Sequence, residues 1–178
     1  MRHGARAREY EDALLWLSRA GLVHRIFRVS KPGLPLSAYD DLSAFKLYLI
    51  DVGLLRRLSF LDPIAVREGN RLFTEYKGAL TENFVLQHLV SHFEVTPRYW
   101  NSGNQAEVDF LIQTKNEIIP IEVKSDENIR SKSLTVYNEL YNPSIRLRYS
   151  LRNLKKDDGL LNIPLFMIDY TEKLLGLN

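Results

Sequence analysis

The segment from Glu107 to Lys124, with the sequence EVDFLIQTKNEIIPIEVK, decides the fold of this 178-residue chain. Two apolar-rich runs in it are separated by Lys115-Asn116, and Asn tolerates the positive φ that a two-residue hairpin turn needs. We therefore expect two antiparallel strands, over residues 106–113 and 117–124. Side chains alternate between the faces of a strand, so one face is predicted to be core and contains Val108, Phe110, Ile112, Ile119, Ile121 and Val123.

The other face of this hairpin collects charged side chains in the middle of both strands. With a two-residue turn, Asp109 lies directly opposite Glu122, and Glu107 lies opposite Lys124. A slip of one residue would break this arrangement, and Pro120 is a source of local irregularity. The spacing leaves two interpretations open: a metal-binding site, or a solvated ladder of ion pairs on an open sheet.

A long helix is predicted over residues 73–93, with one apolar stripe along it. The members of the stripe are Ala79, Leu86, Leu89, Val90 and Phe93. Glu82 lies within the stripe, and a carboxylate on a buried face is costly unless a partner compensates its charge. If the stripe packs on the sheet, Glu82 reaches the cluster formed by Asp109 and Glu122.

Converging carboxylates repel one another, which favours a bound divalent cation. Mg²⁺ takes one or two carboxylates and fills its other positions with water or phosphate oxygens. Asp109 and Glu122 suit that role, with Glu82 contributing directly or through water. A metal there would lower the pKa of a bound water, and Lys124 would orient that water or stabilise the transition state. The four residues suggest hydrolysis of a phosphodiester with Mg²⁺ or Mn²⁺.

The elements around the hairpin predict an α/β (α+β) fold. Further strands are expected over residues 96–101, 144–151 and 163–168, and a second helix over 131–141. From the long helix onwards the order is α-β-β-β-α-β, followed by an extra strand.

The first third of the chain predicts a separate unit. An amphipathic segment from Glu11 comes first, strands over 23–29 and 45–50 follow, and a short helix begins after the N-cap residue Asp51. This is the outline of a winged-helix-like segment, and we expect it to occupy residues 1–62, with a second domain over 70–178.

The chain resembles a known superfamily at these residues. Val108-Asp109, followed by Ile121-Glu122-Val123-Lys124 and preceded by the Glu82 helix, resembles the PD-(D/E)xK restriction-endonuclease-like fold. A closer resemblance is to the C-terminal domain of unknown function attached to a family of bacterial and archaeal AAA-type ATPases. Its carrying segments are YEDALLWL from Tyr10, FKLYLIDVGLL from Phe45, KGALTENFV from Lys77, YWN from Tyr99 and EVDFLI from Glu107.

The resemblance implies a role for each site residue. Glu82 takes the first acidic position, Asp109 the second, and Glu122 with Lys124 the ExK motif, while Val108 replaces the superfamily's Pro. DNA is the implied partner, and an AAA-type ATPase module is implied in the full-length protein. An inactive nuclease-fold module that binds DNA or protein is the alternative. This chain contains no GxxxxGK[ST] motif, so no ATP site of that type is expected in it.

Composition narrows the class of protein. Lys plus Arg is 24 and Asp plus Glu is 22, so the net charge of +2 does not support DNA binding through a global cationic field. The absence of Cys excludes disulfides, thiolate metal sites and Cys nucleophiles. No apolar run reaches the roughly 18 residues of a membrane span, and we expect a cytoplasmic protein without a membrane partner.

Three other features have two interpretations each. A basic segment between residues 130 and 156 either tracks a DNA backbone or forms a solvated surface; its chief members are Arg146, Arg148, Arg152, Lys155 and Lys156. His88 and His92 have the i,i+4 spacing of metal ligands, but they lie opposite the apolar stripe and are expected to be exposed. Tyr99 and Trp100 either stack on bases or cover the edge of the core.

Overall fold

The computed structural model describes residues 10–68, 71–93, 95–103, 105–126 and 132–177, without the side chains of 65, 66, 68 and 71–75. Residues 1–9 of the predicted first domain lie outside the described residues. So do Arg130 of the basic segment and Ser131, the predicted start of the second helix. Within the described part of the chain, no helix combines the length and apolarity needed to cross a membrane.

The first third of the chain has the predicted order of helix, strand, strand and helix. Its elements are α1 (Glu11–Arg19), β1 (Val23–Val29), a 3-10 helix (Leu36–Tyr39), β2 (Asp40–Leu49), α2 (Val52–Leu58) and α3 (Pro63–Glu68). The predicted N-cap is confirmed, because the Asp51 carboxylate accepts a 2.8 Å hydrogen bond from the Leu54 N–H.

The central elements confirm the predicted α-β-β-β-α-β order. They are α4 (Arg71–His92), β3 (Arg98–Asn101), β4 (Glu107–Gln113), β5 (Ile118–Val123), α5 (Lys132–Tyr141) and β6 (Arg146–Ser150). The mixed α/β class is therefore confirmed.

The end of the chain differs from the prediction. It contains β7 (Lys155–Asp157), β8 (Leu160–Pro164), a 3-10 helix (Leu165–Tyr170) and α6 (Thr171–Leu175). The strand expected over 163–168 is thus wrong beyond Pro164, since proline has no N–H for the ladder and the backbone turns there into the 3-10 helix. The β7–β8 hairpin had a sequence signal in Asp158-Gly159, which both adopt positive φ angles.

All strands form one mixed sheet in the order β2-β1-β3-β4-β5-β6-β8-β7. β1 pairs with β2 in antiparallel and with β3 in parallel orientation. The first third of the chain therefore shares a sheet with the rest, while its division into domains at residues 62–70 stays a prediction.

Two cores lie on the two sides of the sheet. The larger one packs α4 through Val85, Leu86 and Leu89 against the sheet, and it includes Phe110 and Ile121. The smaller one packs Leu134 and Tyr137 of α5 against residues that include Trp100, Val108 and Leu111. Ala79, expected in the stripe of α4, is exposed.

The hairpin register is confirmed where the ladder forms, but the turn and one face differ from the prediction. The ladder ends at Phe110 and Ile121, so the expected pairs of Asp109 with Glu122 and of Glu107 with Lys124 are not part of it. Phe110 pairs with Ile121, and Gln113 pairs with Ile118, as a two-residue connection requires. Asn116 does not adopt the expected positive φ, since the described non-glycine residues with positive φ are three others. The connection is closed instead by a 2.9 Å hydrogen bond from the Thr114 N–H to the Glu117 carbonyl.

Strict alternation of side chains predicted Val108 and Phe110 on the same face of β4. The structure does not follow this alternation. Arg98 pairs with Leu111 and Trp100 pairs with Val108, so β4 contains one extra residue relative to β3. This β-bulge explains why Val108 belongs to the smaller core while Phe110 belongs to the larger one. Asp109 lies within the bulge.

Candidate functional site

Asp109 lies at the bulge, where the recorded pairing of β4 with β5 ends at Phe110 and Ile121. One residue beyond that pair, the Val123 N–H donates a 2.8 Å hydrogen bond to the Asp109 carboxylate. Burial and the neighbouring charge of Glu82 raise the pKa of Asp109 to about 7, and Glu122 acts in the same direction. The structure thus brings Asp109 near both of the other predicted acids.

Glu122 is buried, with 4% of its surface exposed. Its carboxylate forms an ion pair with the Lys124 ammonium, whose side chain is 28% exposed. If the hairpin formed a solvated ladder of ion pairs, its carboxylates would be in contact with water. Burial of Glu122 therefore argues against that interpretation of the hairpin.

Glu82 is positioned by a neighbour on α4. The buried Asn83 amide accepts a 2.9 Å hydrogen bond from the Leu49 N–H and donates a 3.0 Å bond to the Leu49 carbonyl. These two bonds fasten α4 to the end of β2. The Tyr48 hydroxyl donates a 3.0 Å hydrogen bond to the Glu82 carboxylate, so Glu82 faces the sheet as the sequence predicted.

Lys46 and Tyr48 of β2 belong to the site and were missed by the sequence analysis. The Lys46 ammonium lies 2.5 Å from a Glu107 carboxylate oxygen. Burial alone would lower the pKa of Lys46, but the carboxylates of Glu107, Glu82 and Asp109 together raise it. Burial and Glu82 also raise the pKa of Tyr48, so this phenol stays protonated and donates.

We call this group the carboxylate cluster. Its members are Lys46, Tyr48, Glu82, Glu107, Asp109, Glu122 and Lys124. Lys46 on β2 precedes the hairpin acids by more than sixty residues, and no spacing rule links positions so far apart. The pairing of β1 with β3 is what places β2 in the same sheet as β4 and β5. Alternation of polar and apolar residues in residues 45–50 was the one available signal, and it did not identify a partner.

Glu122 begins a row of polar residues that crosses the sheet. Glu122 pairs with Arg148 on β6, Arg148 with Asn162 on β8, and Asn162 with Lys155 on β7. The neighbours Ile121 and Leu147 belong to the larger core, so alternation directs Glu122 and Arg148 to the opposite face. A basic side chain therefore does lie beside the buried carboxylate.

Lys155, like Arg148, lies on this row, but the other predicted basic residues do not. Arg146 donates a hydrogen bond to the Asp158 carbonyl, and the Lys155 ammonium lies 2.8 Å from the Asp157 carboxylate. Arg152 and Lys156 are exposed on the connection after β6 and on β7. Two acidic residues, Asp157 and Asp158, line the same open depression as Arg146 and Arg148.

The aromatic pair is part of the core. Tyr99 and Trp100 are 6% and 2% exposed, which leaves neither ring free to stack on a base. The Trp100 ring packs edge-on against Tyr137 at a centroid distance of 5.2 Å. The Lys46 ammonium lies 5.1 Å from the centroid of the Tyr99 ring, and this contact helps to hold Lys46 at the cluster.

A second group of ionisable side chains lies near the end of α4. His88 and His92 are partly buried, not exposed as expected, because both contact Asp169 in the final 3-10 helix. Their imidazoles hold the pKa of Asp169 below its usual value, with His92 the larger influence. We call His88, His92 and Asp169 the histidine cluster; the i,i+4 spacing indicated its first two members, and nothing local indicated Asp169.

Two sequence models of protein families match the chain. A model described as "Domain of unknown function (DUF4143)" matches residues 77–168, just over half of the chain. This range contains Glu82, Asp109, Glu122 and Lys124. A second model, "Domain of unknown function (DUF8612)", matches residues 1–65, which contain Lys46 and Tyr48. The carboxylate cluster thus combines residues from both matched regions.

Comparison with other proteins adds a distant structure. No curated protein matches the sequence. Among solved structures, the chain is similar to the crystal structure of protein VC1899 from Vibrio cholerae, with 16% sequence identity and a TM-score of 0.33. The similarity covers 99% of this chain and 43% of the other, so the chain spans less than half the length of that protein.

Proposed function

We propose that this chain, which belongs to the family described as a domain of unknown function (DUF4143), hydrolyses DNA phosphodiester bonds with a divalent cation at the carboxylate cluster. The observation that carries the proposal is that Glu82 and Glu122 both lie close enough to Asp109, at the bulge of β4, to raise its pKa, with Lys124 paired to Glu122.

The charge balance of the cluster fits a cation. Four carboxylates, those of Glu82, Glu107, Asp109 and Glu122, accompany the ammonium groups of Lys46 and Lys124 and the guanidinium group of Arg148 beside Glu122, so negative charge is still in excess when all four acids are ionised. Glu122 is buried and Asp109 is partly buried, where uncompensated negative charge is costly. Oxygen ligands of this kind suit Mg²⁺ or Mn²⁺, which Asp109 and Glu122 would hold with help from Glu82.

Each protein group then has a role at the reacting phosphate. When bound, the cation would activate a water and stabilise charge on a phosphoryl oxygen. Lys124 orients that water or stabilises the developing negative charge. Lys46 offsets the charge of Glu107 and of the carboxylates beside it. Tyr48 fixes the rotamer of Glu82 through its hydrogen bond.

The polar row across the sheet supports DNA as the substrate. Arg148 lies next to Glu122 on the neighbouring strand, and guanidinium groups bind phosphates well. A DNA backbone that runs along the row towards β7 would place one phosphate at the carboxylates and the next ones beside basic side chains. We extend the proposal to a restriction-endonuclease-like core, supported by the α-β-β-β-α-β order, and to an AAA-type ATPase module in the full-length protein.

Cleavage assays test this function. Wild type and Glu122→Gln are incubated with single-stranded, duplex and branched DNA in Mg²⁺ or Mn²⁺. Glu139→Gln, which makes the same change at an exposed residue of α5, is the matched control. We expect cleavage by the wild type and the control, and a loss of about 100-fold or more in Glu122→Gln. Equal cleavage by Glu122→Gln would contradict the proposal.

A non-catalytic module is the second candidate, and one observation favours it. Partners within the protein already contact each acid: Tyr48 bonds Glu82, the Val123 N–H bonds Asp109, and Lys124 bonds Glu122. A module that only binds DNA or protein needs no cation there. Its Tm would then be unchanged by Mg²⁺, whereas a metal site gains stability from its ligand by mass action.

A further inference from the structure

The histidine cluster joins two elements that are far apart in the sequence. His88 and His92 lie one helical turn apart on the same side of α4, in the spacing that lets two imidazoles share one metal ion. Asp169 comes from the 3-10 helix over Leu165–Tyr170, which packs on α4 through the buried Ile168. The three side chains meet although no local sequence pattern connects them.

The distances within this cluster are close to those around a metal. The His88 Nδ1 lies 2.7 Å and the His92 Nε2 lies 3.2 Å from the same Asp169 oxygen. One ligand atom from each residue lies within 4.8 Å of both others. Tetrahedral ligands about 2.0–2.1 Å from a zinc ion are roughly 3.3 Å apart, so modest side-chain rotations suffice to seat an ion.

Two further features prepare the cluster for a cation. The Phe84 ring packs against the His88 ring at a centroid distance of 4.5 Å, which restricts the orientation of that imidazole. α4 ends at His92, and the carboxyl end of a 22-residue helix attracts positive charge through its unpaired carbonyl groups.

We propose that His88, His92 and Asp169 form a binding site for a divalent transition metal, with Zn²⁺ as the physiological ion. Two imidazoles and one carboxylate are a ligand set that zinc takes, with water in the fourth position. The site is separate from the carboxylate cluster, because His88 lies six residues, or about 9 Å of helix rise, beyond Glu82. It does not depend on the function proposed above.

A metal at this site would fasten the C-terminal segment to α4. Without an ion, one carboxylate oxygen bridges the two imidazoles through hydrogen bonds, and the side chain of Asp169 is 63% exposed. With an ion, the same three groups would become ligands, and the final 3-10 helix would be held by coordination bonds. The expected consequence is a higher Tm in the presence of the metal.

The test uses Co²⁺ as a spectroscopic substitute for Zn²⁺. The intact chain, stripped with EDTA, is titrated with Co²⁺ in excess Mg²⁺, which occupies the hard oxygen ligands of the carboxylate cluster. We expect the visible d–d bands of tetrahedral Co²⁺, and these bands should disappear when one equivalent of Zn²⁺ displaces the Co²⁺. The Tm should rise with the concentration of Zn²⁺. Asp169→Asn keeps the size of this exposed side chain. It should lower the affinity for Zn²⁺ at least ten-fold, which corresponds to about 1.4 kcal/mol of binding free energy.

Controls separate this site from other binding. His24→Gln removes a histidine that belongs to no such cluster among the described residues, and it should leave the titration unchanged. His92→Gln should abolish the Co²⁺ bands. The proposal is overturned if the wild type shows no tetrahedral bands, or if Asp169→Asn and His92→Gln bind Zn²⁺ as the wild type does. Bands that vanish with Asp109→Asn instead would assign the metal to the carboxylate cluster and equally refute it.

Discussion

The two ionisable clusters on α4 differ in burial and in charge balance. The carboxylate cluster combines residues of β2, α4, β4 and β5, and its Glu122 is 4% exposed. The histidine cluster combines α4 with one 3-10 helix, and its Asp169 side chain is 63% exposed. Burial raises the pKa of Asp109 to about 7, whereas the imidazoles lower the pKa of Asp169. Crowded carboxylates in a core therefore cost stability, while a solvated carboxylate between imidazoles does not.

The largest effect on stability is expected from the residue that fastens α4 beside the carboxylate cluster. Asn83→Ala removes the partner of both the N–H and the carbonyl of Leu49. We expect a loss of about 2–4 kcal/mol in the free energy of unfolding, since two buried backbone groups lose their hydrogen bonds. Urea denaturation measures it, with Asn138→Ala on α5 as the control. A change below that of the control would mean that other contacts position Glu82.

The next effect concerns pH and distinguishes the two clusters most directly. The raised pKa of Asp109 means that its contribution to stability is fully present below the unfolded value of 3.8 and is lost as pH rises through about 7. In metal-free buffer, the free energy of unfolding of Asp109→Asn should therefore exceed that of the wild type by about 1–3 kcal/mol at pH 8. At pH 4 the two values should differ little.

Asp169→Asn is the matched comparison for that experiment. Because the pKa of Asp169 is lowered, its contribution is lost only as pH falls through the folded pKa, below 3.8. Asp169→Asn should therefore not show the gain in the free energy of unfolding at pH 8 that is expected of Asp109→Asn, as chemical denaturation at each pH would show. A slope equal to that of Asp109→Asn would remove the distinction between the clusters.

A smaller effect is expected from the lysine that the first third of the chain contributes. Lys46→Met keeps the apolar stem but removes the ammonium group that contacts Glu107. We expect a loss of about 1–2 kcal/mol at pH 8 and a smaller loss at pH 5, where Asp109 is largely protonated. Lys155→Met, at an exposed ion pair, should have almost no effect. Equal losses at both pH values would show that Lys46 acts through its ion pair with Glu107 and not through Asp109.

The smallest effect concerns the proposed binding of DNA beside the carboxylate cluster. Arg148→Ala should weaken binding and reduce the slope of log affinity against log salt by about one, since one phosphate contact is lost. Arg148→Lys keeps the charge and should keep the slope. Fluorescence anisotropy with duplex DNA at several salt concentrations measures both. An unchanged slope in Arg148→Ala would remove Arg148 from the DNA path.

The hairpin shows what could be predicted from the sequence. The two-residue connection determined the register of β4 and β5, and Asp109 lies close enough to Glu122 for that carboxylate to raise its pKa. The apolar stripe of α4 indicated that Glu82 faces the sheet. These predictions succeeded because they depend on local periodicity and on connection length, which the order of residues specifies directly.

The failures have physical causes as specific as the successes. Pro164 ended a strand that the apolar pattern continued, and the bulge in β4 separated Val108 from Phe110. A bulge depends on the pairing of β4 with β3, so the sequence of β4 alone does not reveal it.

The sequence by itself determined the order of the central elements and the hairpin register, and it predicted Glu82, Asp109, Glu122 and Lys124 as site residues. Only the tertiary structure decided which remote residues join them. The parallel pairing of β1 with β3 brings Lys46 and Tyr48 to the carboxylates, and the packing of the last 3-10 helix brings Asp169 to His88 and His92. Long-range pairing and packing depend on the whole core, and no spacing along the chain encodes them.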